Sequence, residues 1–224
     1  PPPPPTLFSH LPDETYTGSV ACGRGTIQSD ATAAGLPMGT NPYTVLLEFK
    51  CSGASGTMTL YAWGTNAGNS MNGLQIGSAQ LRHYWWGNGL TWSFADSGKT
   101  ISDICDGAWH TTGTQFDGTT RRIFFDGATV ASDIPSGSHA NRNDNFCLGA
   151  GAARNVEAFA GSIRRFVVYD SGSVPATTIS PPAPPYPPGL APAPPPPPPA
   201  IFSHLQEETY TGTVDCGRGT IQSD

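Results

Sequence analysis

The chain has 224 residues, of which 12% are charged, and a formal net charge of −6; an ordinary soluble domain carries about twice that share of charge. Lys50 and Lys99 are its only lysines and its arginines are scattered, so no clustered basic footprint exists and nucleic acid is excluded as a partner. No apolar run approaches the roughly 20 residues a membrane helix needs, so no membrane span is expected.

In chain order the first element is a run of five prolines, and the opening segment recurs at the far end of the chain. Residues 1–30 (PPPPPTLFSHLPDETYTGSVACGRGTIQSD) and 195–224 (PPPPPAIFSHLQEETYTGTVDCGRGTIQSD) are identical at 24 of 30 positions without a gap. The differences are Thr6/Ala200, Leu7/Ile201, Pro12/Gln206, Asp13/Glu207, Ser19/Thr213 and Ala21/Asp215. The expected organisation is therefore a tandem repeat, with this chain as one period of 194 residues plus the first 30 of the next. Both copies stop at Ser-Asp, where a strand would end, so residues 200–224 are a candidate donated strand completing a neighbouring sheet.

Between the copies, short apolar–polar alternations are bounded by Gly, Asn, Ser and Asp. Expected strands are Tyr43–Cys51, Thr57–Gly64, Gln80–Trp86, Leu90–Ala95, Trp109–Phe116, Thr120–Asp126, Asn145–Ala150 and Gly161–Tyr169. Gly87-Asn88-Gly89 marks a hairpin between two aromatic strands. No window of a dozen residues has helical periodicity. These patterns predict an all-β, two-sheet jelly-roll sandwich over residues 6–180.

Beyond it, residues 181–199 read PPAPPYPPGLAPAPPPPPP. They have no charge and little to bury, so polyproline II is expected. At about 3.1 Å per residue the tract reaches roughly 60 Å, longer than the roughly 40 Å width of a body of about 175 residues. The expected domains are 1–5, the end of a preceding linker; 6–180, the sandwich; 181–199, the linker; and 200–224, the start of the next repeat.

Of the five cysteines, Cys216 copies Cys22, leaving Cys22, Cys51, Cys105 and Cys147 in one period. Four cysteines allow three pairings, and spacing does not choose among them. No pair has C-x-x-C spacing, so two structural disulfides in an oxidising compartment are expected rather than zinc. An exchanged strand would bring Cys216 to a cysteine of the body.

DGAWH (Asp106–His110), RRIFFDG (Arg121–Gly127) and FAGSIRRFVVYD (Phe159–Asp170) together resemble the signature of laminin G-like, concanavalin A-like jelly-roll domains over roughly residues 43–170. The resemblance implies the sandwich fold and leaves function open among lectins, adhesion modules, glycanases and structural domains. The proline tracts are similar to those of hydroxyproline-rich cell-surface glycoproteins of algae and plants. That resemblance implies hydroxylation and covalent glycans on Pro1, Pro2, Pro3, Pro4 and Pro5, and on Pro181, Pro182, Pro184, Pro185, Pro187, Pro188, Pro192, Pro194, Pro195, Pro196, Pro197, Pro198 and Pro199. No standard N-glycosylation sequon is present.

Glycanase chemistry needs two acids flanking one bond. The five glutamates, Glu14, Glu48, Glu157, Glu207 and Glu208, form no such strand pattern; Glu48, alone on an apolar strand, reads as a buried acid or, as is more usual for such a residue, as solvent-facing. No enzyme activity is expected. His10, His83, His110, His139 and His204 lack ligand spacing, and His110 occupies the Trp-His position where packing is usual. Asp126, Asp144 and Asp170 are candidate calcium acids, but Asp at turns is ordinary, and no metal or cofactor is expected. The candidate contact surface is Tyr84, Trp85, Trp86 and Trp92, with three readings open: a platform for sugar rings, a contact with the next repeat or a proline strut, and plain internal packing. Alternation puts Leu81, His83 and Trp85 on one face and Arg82, Tyr84 and Trp86 on the other, so each face carries a large aromatic. The doubled arginines Arg121-Arg122 and Arg164-Arg165 should each place one residue outward, in surface ion pairs.

The expected function is a structural repeat unit of an extracellular, glycosylated fibre or surface appendage, with copies of itself as partners in head-to-tail assembly. The alternative is a carbohydrate-binding, lectin-like module in which Trp86 or Trp92 stacks on sugar.

Overall fold

The computed structural model describes residues 6–10, 14–17, 35–53, 56–65, 67–85, 87–137, 139, 145–151 and 157–175. The chain divides into two units, 1–184 and 185–224, and all described residues lie in the first. Cys22, Trp86, Asp144, the proline tracts, Cys216 and the rest of 200–224 lie outside the described residues.

Among the described residues, twelve strands form two antiparallel sheets. In chain order they are β1 (Thr6–His10), β2 (Glu14–Thr17), β3 (Tyr43–Lys50), β4 (Met58–Gly64), β5 (Met71–Ile76), β6 (Gln80–Trp85), β7 (Asn88–Ser93), β8 (His110–Phe116), β9 (Arg121–Phe125), β10 (Ala128–Asp133), β11 (Cys147–Leu148) and β12 (Ala160–Tyr169). The seven-stranded sheet runs β1-β12-β3-β8-β9-β10, with β2 also on β12; the five-stranded sheet runs β11-β4-β5-β6-β7. The protein is an all-β two-sheet sandwich.

The alternation read from sequence produces the core. Val45, Leu47 and Phe49 of β3, Ile123 and Phe125 of β9, and Ile163, Phe166 and Val168 of β12 face Tyr61, Trp63, Leu74, Leu81, Trp85 and Trp92 of the other sheet in one buried cluster. Buried hydroxyls find partners across the core, as burial favours: the Tyr61 hydroxyl meets Thr114 Oγ1 at 2.6 Å, and Trp85 Nε1 donates to the Tyr43 hydroxyl at 3.2 Å. The β9–β10 turn at Asp126-Gly127 has φ of 45° and 79°, the left-handed pair that a two-residue hairpin needs. Cys51, just after β3, is bonded to Cys105 across 54 residues, and Cys147 is also disulfide-bonded.

Four strands depart from the alternation pattern. β5 contains Asn72 and Gly73 and reads as a turn; β10 is a half-exposed strand of small residues; β1 and β2 lie in the repeated segment. The paired arginines also depart from expectation. Arg122 makes the surface pair, with Asp117 at 2.7 Å. Arg121 is fully buried: its Nε and Nη2 reach both oxygens of Asp133 at 3.0 and 2.7 Å, and its guanidinium lies 4.6 Å above the Trp85 ring. A bulge between Arg164 and Val167, with Arg165 at φ 53°, turns both neighbouring arginines to one acid, Glu48.

Candidate functional site

The groove lies on the outer face of the five-stranded sheet. Along β6 the side chains of Leu81, His83 and Trp85 enter the core, so Arg82 and Tyr84 point outward. The strands on either side present glycine there: Gly73 of β5 and Gly89 of β7 both pair with Tyr84. A Cβ at Gly73 would lie 2.6 Å from the Tyr84 ring, and one at Gly89 would collide with the Arg82 guanidinium. Both side chains therefore lie down on bare backbone. That geometry needs glycine at these two positions.

Glu157 makes the opposite wall. It arrives from the segment before β12 with φ 57°, and its carbonyl accepts from the Thr59 amide at 2.7 Å. Its carboxylate accepts from Gln75 Nε2 and from Thr59 Oγ1, the latter at 3.2 Å. Gln75, Arg82, Tyr84, Gly87 and Glu157 line a concavity of about 420 Å³, within the size range of small-ligand sites. Burial, and after it the Glu157 charge, hold the Tyr84 hydroxyl well above the ordinary tyrosine range, so it stays protonated and able to donate. Among the described residues Arg82 is the one arginine without an ion pair; Arg121, Arg122, Arg164 and Arg165 each have one. The groove thus offers a forked cationic donor, a carboxylate acceptor, an amide and a phenol around one hollow.

Of the readings open for the aromatic cluster, internal packing holds for its two described tryptophans. Trp85 and Trp92 are 1% and 7% exposed and belong to the core, because each shares a face with leucine, Leu81 and Leu90. Tyr84 faces outward but is pressed onto Gly73; Trp86 is outside the described residues. Arg82, Gln75 and Glu157 line the concavity and are missed as candidates by the sequence reading. Arg82 and Tyr84 are legible as one outward face, whereas Glu157 carries no local signal.

The remaining candidates have structural partners. Glu48 is fully buried, the less usual of its two sequence readings, and accepts from Arg164 Nε at 2.5 Å and Arg165 Nη1 at 2.6 Å. Arg164 also covers the Trp109 ring at 4.0 Å. His110 bridges the two motif aspartates, with Nδ1 2.8 Å from Asp126 and Nε2 3.2 Å from Asp106, and these hydrogen bonds, that to Asp126 foremost, raise its pKa. His83 is buried against Asn72 and Tyr43, and burial holds it neutral. His139 stacks on Trp85 with centroids 3.8 Å apart. Among the described residues no three His, Cys, Asp or Glu side chains are arranged to hold a metal ion, and no helix is long and apolar enough to cross a membrane.

Residues 24–179 match the family model described as the concanavalin A-like lectin/glucanases superfamily. No curated protein matches the chain in sequence. Among solved structures, the chain is similar to the Ruminococcus gnavus IT-sialidase CBM40, with TM-score 0.56 and 15% identity over 78% of this chain and 100% of that one. A second structure of that module, bound to α2,3-sialyllactose, has TM-score 0.54 and 14% identity over 76% of this chain and 95% of that one. The NanB sialidase of Streptococcus pneumoniae gives TM-score 0.52 and 13% identity over 75% of this chain, which spans only 27% of the sialidase. These identities carry the fold alone. The family match, covering most of the chain and agreeing with the two-sheet architecture, shows that the chain belongs to the concanavalin A-like lectin/glucanase superfamily.

Proposed function

We propose that the sandwich is an extracellular carbohydrate-binding module whose ligand occupies the groove bounded by Arg82, Tyr84, Gln75 and Glu157. The observation that carries this reading is Arg82: a guanidinium laid on Gly89, without an ion pair among the described residues, aimed into a polar hollow of ligand size. Sugars need donors and acceptors in alternation, and the groove supplies both. Arg82 fits a carboxylate bidentately, so the preferred sugar carries an acidic group, with its hydroxyls donating to Glu157. The sialyllactose-bound module with the same fold supports this choice of ligand class. Extracellular placement is supported by the Cys51–Cys105 disulfide, since such bonds persist in oxidising compartments. Glu157 is the one carboxylate among the described lining residues, whereas glycoside hydrolysis needs two; the groove is therefore read as binding without cleavage.

A glycan array probed with the full chain and with Arg82→Ala tests the proposal. Binding should concentrate on carboxylated glycans and fall at least tenfold in the variant. Absence of any glycan binding, or binding indifferent to Arg82→Ala, would refute it.

A second reading is favoured by the repeated ends, identical at 24 of 30 positions. In it the module is one unit of a tandem, head-to-tail surface fibre, spaced by hydroxylated and glycosylated proline struts. Electron microscopy of native material would show one globular body per period, and mass spectrometry would find modified proline in 181–199; unmodified proline throughout removes the glycosylated strut.

A further inference from the structure

Strands β1 and β2 complete one edge of β12. β1 pairs with Phe166–Tyr169 and β2 with Ala160–Ile163, while the other edge of β12 is taken by β3. Without β1 and β2, β12 would present an open row of backbone donors and acceptors along its whole length, a template for any matching strand.

The chain contains a second segment that matches. Eight residues of β1 and β2 have a partner on β12: Thr6, Phe8, Ser9, His10, Glu14, Thr15, Tyr16 and Thr17. Seven of the eight recur unchanged, as Phe202, Ser203, His204, Glu208, Thr209, Tyr210 and Thr211. The exception is Thr6, replaced by Ala200 at the end of the ladder. The other differences in this stretch, at Leu7, Pro12 and Asp13, fall on residues with no partner in the register. The cysteine also keeps step: Cys22 and Cys216 each lie five residues beyond the last paired threonine. Cys147 is disulfide-bonded, and with Cys51 and Cys105 joined to each other, Cys22 and Cys216 are the two cysteines left to answer it.

We infer that the place on β12 held by β1 and β2 is an assembly site whose occupant is residues 200–211 of a second copy, seated in the same register and locked by Cys216 to Cys147. This inference rests on the fibre reading and deepens it: the occupant comes from another unit, the contact is heterologous, and it propagates. A stiff proline tract ahead of the donated strand would set the distance between bodies.

The two occupants are chemically distinguishable. A peptide joined to Cys147 contains either Ser19-Val20-Ala21-Cys22 or Thr213-Val214-Asp215-Cys216, which differ in mass. The experiment digests the full chain without reduction, over a range of concentrations, beside native mass spectrometry of the intact protein. A companion chain carries Thr209→Pro and Tyr210→Pro. Adjacent strand amides point to opposite sides, so one of the two prolines removes a ladder donor while the body and its own β1–β2 are untouched. The expected result is head-to-tail oligomers in which Cys147 is linked to Cys216, the fraction rising with concentration and falling at least tenfold in the proline variant. Linkage to Cys22 alone in a monomer, Cys216 linkage confined to monomers, or oligomers unaffected by the prolines would each overturn the inference. Failure there leaves the tandem array itself to be judged by the length of the native chain under reducing conditions.

Discussion

The Tyr84 ring rests on the backbone of Gly73, so close that a single added carbon would lie 2.6 Å from it. The contact levels the floor of the groove and fixes the phenol between Arg82 and Glu157. Gly73→Ala forces the ring tip to lift, which costs little because it is the free end of a side chain. The variant should melt within a few degrees of the wild type, for a penalty of about 1 kcal/mol, while glycan affinity falls severalfold. Parallel calorimetry of unfolding and binding checks this; unchanged affinity would mean that Tyr84 does not shape the ligand site.

The Cys51–Cys105 disulfide closes a loop of 54 residues. Chain entropy alone gives such a crosslink about 4 kcal/mol of stabilisation. Cys51→Ala with Cys105→Ala should lower the unfolding free energy by that amount and raise the m-value, because the denatured chain expands once the crosslink is gone. A loss below about 1 kcal/mol would show that the crosslink spans ends already held together when the chain unfolds.

His139 is buried flat against Trp85, and burial first, then the Arg121 charge, lowers its pKa to about 4. The unfolded chain takes up this proton at higher pH than the folded one, so stability drains away as pH falls from 6.5 toward 4. The full effect is roughly 3 kcal/mol. His139→Phe keeps the stacking and removes the proton site. It should shift the acid unfolding midpoint downward; an unchanged midpoint would place the acid sensitivity elsewhere.

His110 works in the opposite sense. Its hydrogen bonds to Asp126 and Asp106 favour the charged ring and raise its pKa, so its contribution is complete below the unfolded value and lost as pH rises through the folded one. Asp106 is shifted down, chiefly by the Ala108 amide, so its share persists into mild acid. His110→Gln should cost about 1 kcal/mol at pH 5.5 and less at pH 8. Equal losses at both pH values would deny the charged pair.

Much of this fold can be read from alternation, because strands such as β3, β6 and β9 carry large apolar residues at alternate, core-facing positions. Others hide for separate reasons. In β5, Asn72 reaches inward to His83 and Gly73 lies beneath Tyr84, so tertiary contacts occupy positions that look like turn residues. In β10, an edge strand needs few apolar side chains. For the site, alternation correctly divides Arg82 and Tyr84 from His83 and Trp85, but large aromatics on both faces obscure which side is core. Leu81 and Leu90 are the better guide. Glu157 reaches the groove only through tertiary placement of its loop, and no spacing rule points to it. The arginine pair at 164–165 escapes strand alternation because a bulge restarts the register there.

The most direct test of the glycan-binding account is a titration of an acidic oligosaccharide into the full chain, monitored by backbone amide shifts in parallel for wild type and Arg82→Ala. The account predicts saturable shifts centred on Gly73, Gln75, Arg82, Tyr84, Gly87, Gly89 and Glu157, at least tenfold weaker affinity in the variant, and a quiet opposite sheet. Shifts centred on the outer face around Glu48 and Trp109, or no saturable shifts with any acidic or neutral glycan, would contradict it.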